Sequence, residues 1–194
     1  MSPHVLQAVL SIGLSVLVGC GNGGGGAAPG ESPTAEGTVE APWRMQARLQ
    51  HARQEVGVAA LQEQMYVIGG FRPDGSQTAT VEAYAFTADR WQFVQPLPVA
   101  LDHPAAAAAR GKVYVLGGFA SGAAVDLTLE YDPQTDRWTT RARMPTRRGA
   151  LAAAVIEDHV YAVGGFRDGG SVNELARYDP ATDRWEVLPA MPTP

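Results

Sequence analysis

The chain has 194 residues, 45% of them hydrophobic and only 18% charged, with 22 glycines, a net charge of −5 at neutral pH and a single cysteine. This Gly-rich, charge-poor mixture argues against a helical bundle and for a turn-rich β protein, and its acidic balance argues against nucleic acid as a partner. One cysteine excludes an intrachain disulfide and a thiolate zinc cluster, and His4, His51, His103 and His159 form no ligating pair in sequence, so neither metal nor other cofactor is expected.

The first predicted element is an address. Val5 to Val18 is a largely apolar run of 14 residues. As a helix it would span about 21 Å, short of the ~30 Å bilayer core, which suits a signal-peptide h-region better than a membrane anchor. The run ends in Leu17-Val18-Gly19-Cys20, which resembles the lipobox of bacterial lipoproteins. The resemblance implies a signal peptide over residues 1–20, diacylglycerol attachment to the Cys20 thiol, and membrane contact through that lipid alone. Met1 to His4 depart from the pattern in carrying no Lys or Arg. Residues 21–42, with Gly23 to Gly26 and many Ala, Pro, Ser and Thr, bury no core and read as a tether with a reach of roughly 25 Å. Gly21 is not the Asp of an inner-membrane retention signal, so the expected location is the cell envelope, at the outer membrane or its periplasmic side in a Gram-negative host.

Residues 43–194 repeat. The four tryptophans, Trp43, Trp91, Trp138 and Trp185, are spaced by 48, 47 and 47 residues, and Gly-Gly-Phe triplets begin at Gly69, Gly117 and Gly164 in constant phase with them. Each unit predicts four short strands. A small-residue run comes first (Val56 to Leu61, Ala105 to Ala109, Ala150 to Ile156), then a polar turn. A second strand ends in the diglycine, a third ends near Tyr84, Tyr131 or Tyr178, and a fourth opens on Asp-Arg-Trp. Asp132-Pro133 and Asp179-Pro180 suit the tight turn before the fourth strand.

The diglycine, the downstream Tyr and the Trp about 21 residues after the diglycine resemble the kelch repeat over about Trp43 to Pro192. The resemblance implies an all-β fold of kelch-type β-propeller blades. Three complete four-stranded blades are expected, with Tyr and Trp filling the space between them. Trp43 would open an N-terminal orphan strand, making an incomplete propeller. A six-bladed ring would need on the order of 130 further residues beyond Pro194.

In such blades the second-to-third loops and the linkers between blades share one face. Arg72 and Arg167 stand two residues after a diglycine, and Arg53 and Arg148 share a register in the linkers, with Ala120 and Leu101 at those places in the middle repeat. His51, His103 and Arg147 lie near, among Asp74, Asp102 and Asp168. The candidate ligand-binding residues are therefore Arg53, Arg72, His103, Arg148 and Arg167, since guanidinium groups bind carboxylates bidentately. Solvated or structural arginines are the competing reading. The kelch resemblance implies a binding module for a protein or glycan, and this cationic face would suit an anionic one. It also admits an enzyme: a copper radical oxidase resembling galactose oxidase needs a Cys–Tyr cross-link that Cys20, in the signal, cannot supply, whereas a periplasmic sialic acid mutarotase has no local motif to test. A structural segment of a larger surface protein is the third class. No nucleophile elbow, P-loop or dinucleotide fingerprint occurs in the chain.

Overall fold

The computed structural model describes residues 43–193; the signal, Cys20 and the tether lie outside the described residues. The described part holds three four-stranded antiparallel sheets. The first blade is β1 (Gly57–Leu61), β2 (Gln64–Ile68), β3 (Val81–Ala85) and β4 (Arg90–Val94). The second begins with β5 (Ala105–Ala109) and β6 (Lys112–Leu116). A short hairpin, β7 (Phe119–Ala120) and β8 (Ala123–Ala124), precedes its outer strands β9 (Thr128–Asp132) and β10 (Arg137–Thr140). The third repeats that plan with β11 (Ala152–Ile156), β12 (His159–Val163), the hairpin β13 (Phe166–Arg167) and β14 (Gly170–Ser171), then β15 (Leu175–Asp179) and β16 (Arg184–Leu188). The four strands of each blade pair in chain order, with the hairpins set aside as small sheets of their own.

The innermost strands β1, β5 and β11 lie side by side. Crowding there explains their small residues: a Cβ added to Gly57 would stand 3.3 Å from the Ala106 methyl. The core is the space between blades. Ala59, Tyr66, Ile68, Val81 and Ala83 of blade 1 meet Val113, Val115, Leu129 and Tyr131 of blade 2. Ala105, Ala107, Tyr114 and Leu116 of blade 2 meet Val160, Ala162 and Tyr178 of blade 3. Tyr66 faces Tyr131 at 5.6 Å between ring centroids, and Tyr114 faces Tyr178 at 5.7 Å, each pair adding about 0.5–1.5 kcal/mol to its area burial.

The diglycine is the hook between blades. Gly70 donates its N–H to the Leu101 carbonyl at 2.7 Å and Gly118 to that of Arg148 at 3.0 Å, in each case on the linker to the following blade. Gly117 has φ +57, and an added Cβ would stand 2.1 Å from the Arg148 carbonyl oxygen, so both the turn and the close approach require glycine.

Two expectations change. Residues 43–49 form no strand among the described residues, and Trp43 is 85% exposed: an extended segment becomes a strand only beside a ladder partner, and none of the described strands pairs with it. The other tryptophans do not fill the space between blades as the tyrosines do. Trp91, Trp138 and Trp185 are half-buried at its edge, where they stack on Tyr84, Tyr131 and Tyr178 at 5.0–5.2 Å. Their indoles donate to the carbonyls of Ala47, Gln95 and Ala142 at 2.8–3.0 Å. The N–H of those same residues donates to Asp89, Asp136 and Asp183, which also accept the tyrosine hydroxyls. The Tyr, Asp and Trp of each repeat thus form one clamp on the linker that precedes the blade.

Candidate loop-face site

Antiparallel pairing brings the second-to-third loops and the incoming linkers to one end of the blades. Phe71, Phe119 and Phe166, the third residues of the glycine triplets, each pair by backbone with an incoming linker, at Gln54, Asp102 and Gly149. The next linker residues, Glu55, His103 and Ala150, all adopt left-handed φ of 56°, 48° and 50°. His103 donates its N–H to the Glu55 carbonyl and Ala150 to that of His103, both at 2.9 Å. One chain of backbone hydrogen bonds therefore runs across all three linkers, and the loops stand on it.

His103 lies in the gap between the first two loops. Its ring meets Phe71 and Phe119 edge on, at 6.2 and 5.8 Å. Nδ1 is 2.6 Å from a carboxylate oxygen of buried Asp102, and Nε2 is 3.1 Å from Glu55. The imidazole thus bridges two linkers, hydrogen-bonded to Asp102 on its own and close to Glu55 on the preceding one.

The structure revises the role of two of the expected cationic residues. Arg53 has a fully buried side chain that donates to the Thr80 carbonyl at 2.6 Å and to Glu82 at 3.1 Å, itself fully buried. Burial lowers the Arg53 pKa and Glu82 opposes that shift. Arg148, 1% exposed, pairs with Glu174 at 2.5 Å and donates to the Ala162 carbonyl. Both arginines are struts, since their buried guanidinium groups turn to the blade's own carbonyls and carboxylates, with Nε of each enclosed and unpartnered among the described residues. Arg167 reaches the surface but pairs with the other oxygen of Glu174 at 2.7 Å. Burial works to raise the Glu174 carboxyl, yet Thr146, Arg167 and Arg148 together hold it below the usual carboxylate range. Arg72 is exposed and forms no ion pair among the described residues. The five residues therefore do not converge on one cationic site.

A different feature occupies this face. A cleft of about 500 Å³ lies between the hairpins β7–β8 and β13–β14. Phe119 and Phe166 line it, with Gly122, Ala123 and Ala124 on one side and Arg147 and Asp168 on the other. Phe166 is 40% exposed. In the sequence these phenylalanines mark the repeat and Arg147 is a nearby charge. The signal that they share a cleft lay in their position after the diglycine, which becomes useful only once the hairpin register is known. A wider recess of about 630 Å³ flanks the Trp138 indole and holds none of these residues.

The family described as the KLHDC2/KLHL20/DRC7 Kelch-repeats domain matches residues 38–194. Among curated proteins, Kelch-like protein terF of Aspergillus terreus is 35% identical over 99 residues, covering 45% of this chain and 21% of that protein. Kelch repeat and BTB domain-containing protein 1 of Ectromelia virus is 30% identical over 95 residues, 47% of this chain and 16% of the viral protein. Beta-scruin of Limulus polyphemus is 34% identical over 76 residues, 39% of this chain and 8% of that protein. The matched segments thus span between 8% and 21% of these relatives' own lengths.

Proposed function

Since the chain belongs to the kelch-repeat family, we propose that it is an exported, lipid-anchored binding module that recognises a protein ligand through the loop face of its blades. The observation that carries this reading is the way the face is built. Its loops are pinned by backbone bonds to a rigid rim, and they present phenylalanine rings beside paired charges, Arg167 with Glu174 and Arg147 with Asp168. Pre-organised apolar contacts with a few polar groups around them are what protein recognition uses. The export half of the proposal is supported by the lipobox-like Leu17-Val18-Gly19-Cys20 and the tether behind it.

The test has two readouts on the full chain expressed in a bacterium. Mass spectrometry of the mature N-terminus should find a lipid-modified Cys20, and a soluble chain with unmodified Cys20 would overturn the anchor. Selection of a random displayed peptide library on the purified protein, alongside a glycan array, should yield peptides. Glycans without peptides would overturn the protein-binding reading.

A further inference from the structure

The three loops occupy equivalent places, but the two gaps between them are filled differently. Gln77 pairs with Phe71 across the first loop, as Ala124 pairs with Phe119 and Ser171 with Phe166. The Gln77 amide crosses to the second blade, where it donates to Asp102 and to the Phe119 carbonyl and accepts the Ser121 N–H at 2.8 Å. With His103 wedged between Phe71 and Phe119, it closes the first gap. In the second gap the residue equivalent to Gln77 is Ala124 and the residue equivalent to His103 is Ala150. Neither methyl group can span the space, and the cleft of about 500 Å³ between Phe119 and Phe166 is the result. The Phe119 ring lies so close over Gly149 that an added Cβ would stand 2.3 Å from it, so the wall is held in place.

Resting on the protein-binding reading above, we propose that this cleft seats an extended peptide segment. One large apolar side chain enters between Phe119 and Phe166, and the adjoining peptide group accepts from Arg147 and donates to Asp168. Arg147 and Asp168 stand 3.4 Å apart with side chains 62% and 66% exposed, a donor and an acceptor side by side with no net charge. An amide presents the complementary pair. An anion would meet Asp168 as well as Arg147. A sugar ring brings several hydroxyls, and these two side chains are the charged groups lining the cleft. Apolar burial in a preformed pocket with a polar rim gives such a contact its affinity.

The experiment refits the cleft with the residues that close the other gap. Ala124→Gln and Ala150→His are combined in the full chain. Ala150 has φ 50° and His103 has φ 48°, so the backbone at position 150 already has the shape that carries a histidine at 103. Peptides selected on the unaltered chain are titrated by fluorescence anisotropy against it, the double variant and Arg147→Ala, with thermal melts of each. The expected peptides share one aromatic or large aliphatic residue. The double variant is expected to weaken them by about tenfold or more and Arg147→Ala by about threefold to tenfold. Equal binding by all three proteins overturns the cleft while leaving the protein-binding reading in place. Failure to select any peptide overturns both. If the double variant melts lower than the parent, Arg147→Ala on its exposed side chain decides, and undiminished affinity there overturns the proposal.

Discussion

Arg53 and Arg148 stand at one register of two incoming linkers, but a residue type says nothing about which way its side chain turns. In the fold both turn inward, onto carbonyls and a carboxylate of their own blade. This makes a distinction that stability can read. Arg53→Ala should destabilise the chain by about 3–5 kcal/mol, because Glu82 is left charged and buried with only the Gln50 and His51 N–H groups as partners. Arg53→Met combined with Glu82→Met removes both charges, and should cost less than half as much. Urea unfolding of the two variants checks the pair; a loss below 1 kcal/mol for Arg53→Ala would return Arg53 to the solvent and to ligand binding. In the middle linker Leu101, fully buried, takes the place of the arginine. The presence of a leucine at that register was the one sign in the sequence that the position is interior.

At the scale of the element, what the sequence made legible were positions where backbone geometry leaves little choice. The diglycines must adopt positive φ against the next linker, and the tyrosines alternate toward the neighbouring blade, so a constant spacing revealed both. The Asp-Arg-Trp lattice was legible as a repeat but not as a clamp, because its partner is the linker entering the blade, more than 40 residues away in sequence. The clamp is testable at Asp136, whose carboxylate accepts the Gln95 N–H and the Tyr131 hydroxyl at 2.8 Å each. Burial, followed by the bond to Asp136, pushes the Tyr131 phenol well above its ordinary value, so it remains a donor throughout the useful pH range. Asp136→Ala should cost about 2 kcal/mol, from two lost hydrogen bonds and from a side chain at φ 52° that tolerates the left-handed region less well than Asp. Asp136→Asn, which retains an acceptor and that tolerance, should cost about half as much. Denaturant midpoints compared at constant m-value give both numbers, and equal costs would show that the hydrogen bonds are not what the aspartate contributes.

For the whole molecule, three blades share two interfaces of the same design, and their outer faces carry apolar groups of the same kind. Tyr161, the counterpart of buried Tyr66 and Tyr114, is half-buried, and Ile156 and Val187 of the third blade are 57% and 70% exposed. On the loop face the repeat is broken in one place, at Ala124 and Ala150. That break was beyond sequence reading, since the loops differ in length and only the pairing of Phe71 with Gln77 and of Phe119 with Ala124 aligns them. The proposed ligand recognition falls there, at the gap that the chain leaves open. Hydrogen–deuterium exchange of the full chain, with and without the tightest selected peptide, tests this most directly. Slowed exchange is expected at the backbone amides of residues 119–124 and 166–171, with residues 72–77 unchanged. Protection centred on residues 72–77, or on the outer strands β4, β10 and β16, would contradict it.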